Sequence, residues 1–554
     1  MGLKKQTGTH VTNTNDPWGD HFTPEERALL APFVTDVDAP IFGLRNLPEV
    51  VKGALFSRYS RTDKSLRRIL LDEFIQAPES GFAQIVGSAA SNGAEQVVAV
   101  QQAEAFYDRV LIGYGDDSVA ELGGAHLACE GVSNIAAKAL EESRIGLSPL
   151  EKSTRYVVFN RKVDGRYRYH RPAELAQHGL EELYTTAMDG LFDTYGALLE
   201  PTIAWVRERT PRDSQTSERA YNSATRAKAF DLLRGLLPMA TYTNVGLFGN
   251  GRAFEYLLTK LYATEHAELH TIADQMYEAL NSLIPSFVKR AKNERGEAYQ
   301  RYLRANRERI QELATAYAKP VAIATESLVT LVRHDHDAVA RVAASILYPH
   351  LDMPLDEAQA MASQLGEDEL RGIVQAYVGR RENRFHRPGR AFEEASYTFD
   401  ILADLGAYRD LQRHRMLSQE RQGYTTLHGF TTPAELIDAR LAGAYDRALA
   451  SAAESFEAIR AALPSAAQYA VPLAFRVRWR VTLNLREAYH LTELRASPQG
   501  HPTYRAIAQE IYRLIEQVHP TLAEGMRFVD LNTYDLERLD AERRLDAKID
   551  AQNA

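Results

Sequence analysis

The chain contains 554 residues with a formal net charge of −9 at pH 7, and 25% of its residues are charged. This negative balance excludes a general nucleic-acid binder, which requires an excess of lysine and arginine. The single cysteine, Cys129, excludes a disulfide framework and a multi-cysteine zinc site, and it favours a reducing, cytoplasmic environment. No apolar run is long enough to span a bilayer, and the N-terminal residues lack the apolar core of a secretion signal.

The hydrophobic pattern predicts many helices and a few strands. Residues 1–25 are predicted to form a disordered tail, and Thr23 followed by Pro24 predicts the start of the first helix. Amphipathic spacing predicts helices at 47–74, 174–209, 226–237, 253–262, 266–290, 290–309, 337–348 and 356–379. Strands are predicted at 240–248, 327–332, 396–403 and 474–483, and the segment ACEGVSNIAAKALEE predicts a strand that turns at Gly131 into a helix. Cys129 lies in this apolar segment, which favours a buried side chain over a nucleophile.

Two distant stretches of the chain share one pattern of residues. In each, a proline precedes an asparagine by 12 positions, an arginine follows the asparagine after two positions, and two helical segments come next. The matched residues are Pro238, Asn250 and Arg252 in the first stretch and Pro472, Asn484 and Arg486 in the second. This pattern predicts a tandem duplication: a first repeat at 26–318, a second at 319–535 and a charged C-terminal tail at 536–554, with the connection between the repeats near 310–325.

A basic triplet, Arg413-His414-Arg415, follows the predicted strand at 396–403 and a predicted helix at 404–412. Two guanidinium groups and an imidazole suit an anionic, planar ligand, because arginine donates paired hydrogen bonds to phosphate and stacks on rings. A basic triplet alone is more often a solvated turn. A second polar segment, LEKSTRY, places Glu151, Ser153 and Arg155 at alternate positions.

These two segments resemble the flavin-dependent thymidylate synthase family, whose signature is RHRxxS followed by ExSxRY. RHRMLS, from Arg413 to Ser418, matches the first half, and the residues from Glu151 to Tyr156 match the second half. The resemblance therefore implies two divergent copies of one domain, each keeping a different half of the signature. Each possible pocket is then expected to lack one half.

The resemblance implies an α/β fold of the α+β type, in which each of two thymidylate synthase-like domains has a mixed or antiparallel sheet flanked by long helices. It implies FAD as the cofactor, with NADPH and methylenetetrahydrofolate as co-substrates in the reductive methylation of dUMP to dTMP. Family members are homotetramers, so a fused pair implies a homodimer of two-domain chains, a pseudo-tetramer. No membrane partner and no metal site are expected.

The resemblance also implies a role for each matched residue. The catalytic positions are Arg413, Arg415 and Ser418. Cofactor contacts are implied for Arg413, His414, Arg415, Asn484, Arg486, Asn250 and Arg252, and nucleotide contacts for Glu151, Ser153, Arg155, Arg234 and Arg495. The copies depart from the family pattern, because Leu261 stands at the position of Arg495 in the first copy and Gln468 at the position of Arg234 in the second. Two alternatives stay open: a degenerate paralogue that binds flavin or nucleotide without turnover, and a helical interaction protein that keeps only the fold.

Overall fold

The structure is a computed structural model that describes residues 20–76, 119–318 and 328–553. The chain forms two compact units. The first unit comprises Met1–Cys129, Ile145–Leu150 and Gly246–Ala318, and the second comprises Glu130–Arg144, Glu151–Val245 and Lys319–Ala554. Within the described ranges, no helix combines the length and the hydropathy that crossing a bilayer requires.

Helices make up most of the regular structure. In chain order, the α-helices of the described residues are α1 (Pro24–Leu30), α2 (Glu49–Tyr59), α3 (Leu66–Ile69), α4 (Asn134–Glu141), α5 (Glu174–Gln177), α6 (Glu181–Arg209), α7 (Glu218–Leu233), α8 (Gly251–Tyr262), α9 (Ala267–Leu283), α10 (Pro285–Val288), α11 (Glu294–Tyr317), α12 (Ala338–Leu347), α13 (Leu355–Ala362), α14 (Glu367–Val378), α15 (Leu405–Leu411), α16 (Ala434–Asp438), α17 (Ala442–Arg460), α18 (Pro464–Ala467), α19 (Leu485–Arg495), α20 (Pro502–Val518), α21 (Pro520–Ala523) and α22 (Leu539–Asn553). A π-helix, Leu70–Ile75, continues α3. Short 3₁₀-helices lie at Val119–Glu121, Arg234–Leu236, Lys289–Lys292, Tyr348–His350, Arg390–Glu394 and Gln468–Ala470.

The strands form two sheets. They are β1 (Gly124–Ser133), β2 (Leu147–Glu151), β3 (Tyr242–Asn250), β4 (Val329–His334), β5 (Ser396–Asp404), β6 (Leu417–Arg421) and β7 (Arg476–Asn484). One sheet has the order β1–β3–β2, and the other has the order β4–β5–β7–β6 with antiparallel neighbours throughout. Helices together with an antiparallel sheet confirm the α+β class expected from the sequence.

The four-stranded sheet belongs to the second unit, and its strands explain how the core is built. The sequence of β7, RVRWRVTLN, alternates arginine with apolar residues, which is the pattern of a strand with one buried face. Its buried residues are Val477, Trp479, Val481 and Leu483. The neighbouring strand β5 is buried at most of its positions, as expected for a central strand covered on both faces.

The two stretches that share the proline–asparagine spacing also share their order of elements. β3 begins four residues after Pro238 and β7 begins four residues after Pro472, and each strand contains nine residues. Asn250 caps α8 and Asn484 caps α19, because each side-chain oxygen accepts a hydrogen bond from the backbone N–H three residues later. The order β1–β3–β2 recurs as β5–β7–β6. The strands predicted at 240–248 and 474–483 are confirmed.

In the second unit, Pro238 and Pro472 lie opposite each other in a short antiparallel backbone pairing. Four hydrogen bonds of 2.9 Å join the two segments, from the N–H groups of Met239, Ala240, Leu473 and Ala474 to the carbonyls of Val471, Tyr469, Leu237 and Gly235, respectively. Each bond donated by one segment has a counterpart donated by the other. The junction of Pro238 and Pro472 therefore has approximate two-fold symmetry.

Several predicted boundaries differ from those observed, and glycine or proline accounts for most differences. The predicted helix at 174–209 is divided into α5 and α6 by Gly179, whose φ of +67° does not occur within a helix. The predicted helix at 356–379 is divided into α13 and α14. Helix α7 ends at Leu233, and a 3₁₀-helix continues to Leu236. Leu237 is extended, because Pro238 disfavours helical conformation in the residue before it. β1 continues past Gly131, and α4 begins only after Ser133.

The structure describes the C-terminal end of the chain, up to residue 553, but only part of the predicted N-terminal tail. Thr23 caps α1 as expected, whereas residues 1–19 lie outside the described residues. The predicted C-terminal tail at 536–554 contains α22, which contacts α7. Arg543 donates to Thr216 Oγ1 at 3.0 Å and pairs with Asp213, and Asp546 accepts hydrogen bonds from two residues at the start of α7. The segment is therefore folded against the second unit. The predicted connection at 310–325 overlaps α11, which continues to Tyr317.

Candidate functional site

The basic triplet lies at the corner between α15 and β6, in the second unit. Asp404 caps α15, the helix ends at Leu411, and β6 begins at Leu417, so the residues between them form a tight connection. Of the predicted residues at this corner, His414 is buried, Arg413 is half-buried, and Arg415 and Ser418 are exposed. Within the triplet, His414 therefore faces the interior, Arg415 faces the surface, and Arg413 lies between the two.

Glu151, at the end of β2, is buried among three cations. Its carboxylate accepts hydrogen bonds from Arg409 Nη2 at 2.6 Å, Arg413 Nη2 at 2.5 Å and Lys138 Nζ at 3.1 Å. Burial acts to raise the pKa of Glu151, but the charges of Arg409, Lys138 and Arg413 lower that pKa far below its usual range. Glu151 and Arg413 belong to different halves of the signature, and they are in direct contact. The two halves of the signature therefore meet at Glu151 and Arg413, and the expectation that each possible pocket lacks part of the family's residue set stays a prediction.

Asp410, on α15, lies among arginines from both of the repeated stretches. Arg234 Nη1 donates to Asp410 Oδ2 at 3.3 Å. Burial acts to raise the pKa of the Asp410 carboxyl, but the positive charges of Arg234, Arg413, Arg495 and Arg155 lower it far below its usual range. Four arginines that the resemblance connects with flavin or nucleotide are thus brought together in the second unit.

Arg155 forms a buried, bidentate pair with Asp231. Its Nε donates to Asp231 Oδ1 at 2.6 Å, and its Nη2 donates to the other carboxylate oxygen. Its Nη1 donates to the carbonyl of Gln499 at 3.1 Å and to Tyr504 Oη at 3.4 Å. Ser153 Oγ accepts from the backbone N–H of Arg155 at 3.2 Å, which stabilises the turn after β2. The guanidinium of Arg155 is therefore held in one orientation by three residues, Asp231, Gln499 and Tyr504.

His414 links α19 to the corner through both of its ring nitrogens. Arg495 Nε donates to His414 Nε2 at 2.9 Å, so Nε2 carries the lone pair and Nδ1 carries the proton, which is donated to Glu487 Oε1 at 2.6 Å. The other oxygen of Glu487 lies 3.3 Å from His490 Nδ1. Burial lowers the pKa of His414 to about 4, so the ring is neutral at pH 7.

The same three residues, His414, Glu487 and His490, have potential metal-ligating atoms within 4.8 Å of one another. A metal ion requires an imidazole lone pair, and arginine can only donate hydrogen bonds. Because Arg495 occupies the lone pair at Nε2, a neutral His414 has no second lone pair at Nδ1. The trio therefore fits a hydrogen-bonded chain that orients Arg495 and does not fit a metal centre.

The predicted flavin-binding pairs both have structural partners. The asparagine of each pair caps a helix, α8 or α19, as described above. The arginine of each pair forms an ion pair: Arg486 Nη1 lies 2.9 Å from Glu393 Oε1, and Arg252 Nη1 lies 2.8 Å from Glu121 Oε1. Asn484 and Arg486 belong to the second unit, and Asn250 and Arg252 belong to the first. In the first unit, a cavity of about 1010 Å³ is lined by residues that include Asn250, Arg252, Arg290, Arg295, Tyr256 and Tyr299.

A smaller cavity, of about 320 Å³, lies against Arg234 in the second unit. Leucine, alanine and proline residues form the apolar part of its lining. The polar part includes three carboxylates, two further cations and several neutral groups: Asp231, Asp404, Glu435, Lys228, Arg476, Thr431, Tyr445, His501 and Thr503. The buried Nη2 of Arg234 makes no hydrogen bond with any residue that the structure describes. Burial lowers the pKa of His501 to about 3 and raises the pKa of Asp404. Arg234 Nη2, which makes no hydrogen bond within the described residues and lies 4.0 Å from Asp404 Oδ1, is a donor that suits a small ligand bringing an acceptor oxygen.

Four residues of this site escaped sequence reasoning: Asp231, Asp410, Glu487 and Arg538. Two of them carried a readable signal, because Asp410 lies three positions before the basic triplet and Glu487 lies one helical turn before His490. The other two gave none. Asp231 lies within a predicted helix, and Arg538 lies in a segment that its charge made indistinguishable from a solvated tail.

Comparison with known proteins assigns the chain to a family. The family model described as thymidylate synthase complementing protein matches residues 75–286 and 328–521, well over half of the chain. The chain belongs to the thymidylate synthase complementing protein family. The two matched regions agree with the resemblance drawn from the RHRxxS and ExSxRY segments, and they contain every predicted site residue.

Relatives of this family member differ in how much of the chain they cover. A UPF0159 protein of Chlamydia pneumoniae is 42% identical over 527 residues, which span 95% of this chain and 98% of that protein. A flavin-dependent thymidylate synthase of Geobacter sulfurreducens is 27% identical over 204 residues, 35% of this chain and 84% of that protein. Among solved structures, a UMP/dUMP methylase, PolB, from Streptomyces cacaoi bound with 5-Br dUMP has 18% identity and a TM-score of 0.29, covering 36% of this chain and 94% of that one.

Proposed function

We propose that this chain is a flavin-dependent thymidylate synthase-like enzyme that binds dUMP in its second unit and methylates carbon 5 of the uracil ring. The observation that carries the proposal is the convergence of arginines on Asp410. Arg155 and Arg234 come from the first family-matched region, and Arg413 and Arg495 come from the second. A nucleotide monophosphate supplies the anion and the planar ring that such a cluster accommodates.

Several guanidinium nitrogens of the cluster make no hydrogen bond within the described residues, and this supports an anionic ligand. Buried guanidinium nitrogens without a hydrogen-bond acceptor are Arg234 Nη2, Arg409 Nε, Arg413 Nε, and Arg538 Nε and Nη1. Buried donors without acceptors are costly, so their concentration in one place favours a ligand that brings acceptor oxygens. A phosphate group brings several such oxygens, and each can accept from more than one donor.

In the proposed reaction, each group of residues has a separate task. Arg234 and Arg495 hold the phosphate, Arg413 and Arg415 stabilise negative charge that develops on the uracil ring, and Glu151 keeps Arg413 in place. Bound FAD would supply the redox chemistry of the reaction, with NADPH as its reductant and methylenetetrahydrofolate as the one-carbon donor. The residues assigned to FAD by family position are Arg413, His414, Arg415, Asn484, Arg486, Asn250 and Arg252. No protein nucleophile is required, which agrees with Cys129 being buried with its pKa raised to about 11 by burial.

We also propose that the chain consists of two repeats, the division at 26–318 and 319–535, and that two chains associate into a pseudo-tetramer. The symmetric pairing of Pro238 with Pro472, the matched strand orders and the two family-matched regions support the two-repeat arrangement. A homodimer would then reproduce the four domains of the homotetrameric relatives. Its mass in solution tests this arrangement directly.

The cofactor is tested by an absorption spectrum of the purified protein, before and after FAD and dUMP are added. A flavin band near ~450 nm that follows the protein supports the proposal. Release of tritium from carbon 5 of labelled dUMP, dependent on NADPH and methylenetetrahydrofolate, tests turnover. Arg234→Ala is expected to weaken dUMP binding, whereas the exposed Arg460→Ala serves as a control. A protein that takes up neither flavin nor dUMP contradicts the proposal.

A second candidate function is nucleotide or flavin binding without turnover. It is favoured by the pairing of the key cations within the protein, since Arg155 is paired with Asp231 and Arg413 with Glu151, and by the use of both ring nitrogens of His414. This candidate predicts tight binding of FAD or dUMP without tritium release. Turnover that Arg415→Ala abolishes rules it out.

A further inference from the structure

The C-terminal segment places a buried arginine, Arg538, beside the ExSxRY segment. Arg538 lies between the family-matched region, which ends at residue 521, and helix α22. Only 6% of the residue is exposed. Its guanidinium stacks on the ring of Tyr156, 4.1 Å from the ring centroid, and Tyr156 is the tyrosine of the ExSxRY segment. A residue outside the matched family region thus contacts the motif that the family shares.

The guanidinium of Arg538 has no hydrogen-bonded counter-ion among the described residues, and the longer-range charge of Asp231, which is already paired with Arg155, acts to raise the pKa of Arg538. Its Nε and Nη1 are buried and make no hydrogen bond with any described residue, and no carboxylate within the described ranges forms an ion pair with it. The neighbouring Glu537 does not neutralise the charge of Arg538, because its carboxylate pairs with Lys228 Nζ at 2.8 Å. Burial and the positive charge of Arg155 both lower the pKa of Arg538. A buried cation without a partner destabilises the folded protein, so its presence requires another explanation.

The position of Arg538 is fixed by contacts on both sides of it. On one side, Glu537 is held by its ion pair with Lys228 on α7. On the other side, Arg543 and Asp546 fix α22 to the residues that precede and begin α7. The guanidinium is therefore oriented by the protein before any ligand arrives, which lowers the entropy cost of binding.

We propose that Arg538 is a ligand-binding residue that contacts the phosphate of the nucleotide, supplied to the site by a segment outside the family-matched regions. The identity of the ligand as a nucleotide rests on the proposed function, whereas the binding of an anion by Arg538 does not. The stack on Tyr156 orients the planar guanidinium, and its two unused donors suit two phosphate oxygens. A nucleoside without a phosphate gains nothing from this residue.

The test compares Arg538→Met with wild type and with Arg543→Met, a variant of an arginine on the same segment that has ion-pair partners. Binding of dUMP, deoxyuridine and inorganic phosphate is measured by calorimetry, and thermal unfolding is followed without ligand. For Arg538→Met, we expect dUMP binding to weaken at least about tenfold, as for the loss of a hydrogen bond to a charged group, with deoxyuridine binding unchanged. We expect the melting temperature to stay the same or to rise, because the variant removes an unpaired buried charge. Arg543→Met should lower the melting temperature and weaken dUMP binding much less than Arg538→Met does, because it loosens α22 but leaves the guanidinium of Arg538 in the site.

The outcomes separate this inference from the proposed function. If wild type binds dUMP and Arg538→Met binds it equally well, the inference is overturned and the proposed function stands. If Arg538→Met unfolds at a much lower temperature, Arg538 has a structural role and the inference is also overturned. If wild type binds inorganic phosphate in a manner dependent on Arg538 but does not bind dUMP, the anion site stands and the proposed substrate fails. Arg538→Lys should recover only part of the affinity, because lysine lacks the paired donors.

Discussion

Glu151→Gln is expected to destabilise the protein severely, although it changes a single oxygen into an amide nitrogen. Glu151 is buried, and three cations lie within 3.1 Å of its oxygens. Removal of the negative charge leaves Lys138, Arg409 and Arg413 close together with fewer counter-charges. Breaking a buried ion pair from one side costs about 3–5 kcal/mol, so we expect the free energy of unfolding to fall by about 3 kcal/mol or more. Urea-induced unfolding at pH 7, followed by circular dichroism, measures this change.

A matched control is Glu142→Gln, which changes a half-exposed carboxylate 3.8 Å from Arg421. Its expected cost is below about 1 kcal/mol, the usual value for an exposed ion pair. The double variant Glu151→Gln with Arg413→Met should recover part of the loss, because one of the unpaired cations is removed with the carboxylate. A cost below about 1 kcal/mol for Glu151→Gln, or strict additivity in the double variant, would refute the reasoning that this carboxylate holds the cations together.

Three further predictions concern protonation, orientation and the C-terminal helix. Burial lowers the pKa of His414 to about 4 and that of His501 to about 3, so each histidine contributes stability above its unfolded pKa of about 6.5 that is lost as the pH falls. The free energy of unfolding should therefore be lower at pH 5 than at pH 7 by roughly 2 kcal/mol for each histidine, measured by urea unfolding at both pH values. Equal stability at the two pH values would contradict this. Glu487→Ala should weaken dUMP binding while Glu487→Gln retains most of it, because glutamine keeps an acceptor for the His414 proton; equal effects of the two variants would exclude the proposed tautomer. Asp546→Ala should lower stability by less than about 1 kcal/mol, because it removes exposed contacts of α22; a loss of several kcal/mol in a calorimetric scan would show that α22 is part of the core.

The local features of the fold were accessible from the sequence because their causes are local. Asn250 and Asn484 end strands and cap helices, and both the alternation in β7 and the spacing from each proline are properties of a few consecutive residues. The same is true of the capped start at Thr23. Errors arose where a single residue overrode the pattern, as at Gly179, whose left-handed backbone conformation divides a helix that the hydrophobic spacing presents as continuous.

The assembly of the site was not accessible, because its contacts join residues that are far apart in the chain. Glu151 and Arg413 are separated by 262 positions, and nothing in either segment specifies the other as its partner. The resemblance to a family identified both segments but placed them in separate pockets. Arg538 shows the same limit: its burial depends on where Glu537 and α22 are fixed, and composition alone presents the segment as solvated.

The junction of Pro238 and Pro472 is joined by main-chain hydrogen bonds that any non-proline residue can form, within a packed core that tolerates no side chain at Gly235. The backbone pairing can therefore be kept at positions where the side chains of the two segments differ. The positions four residues before each proline illustrate the result: Arg234 keeps an unused donor beside a cavity, whereas Gln468 accepts a hydrogen bond from the backbone N–H of Tyr424. A symmetric backbone framework thus carries unequal side chains at equivalent positions.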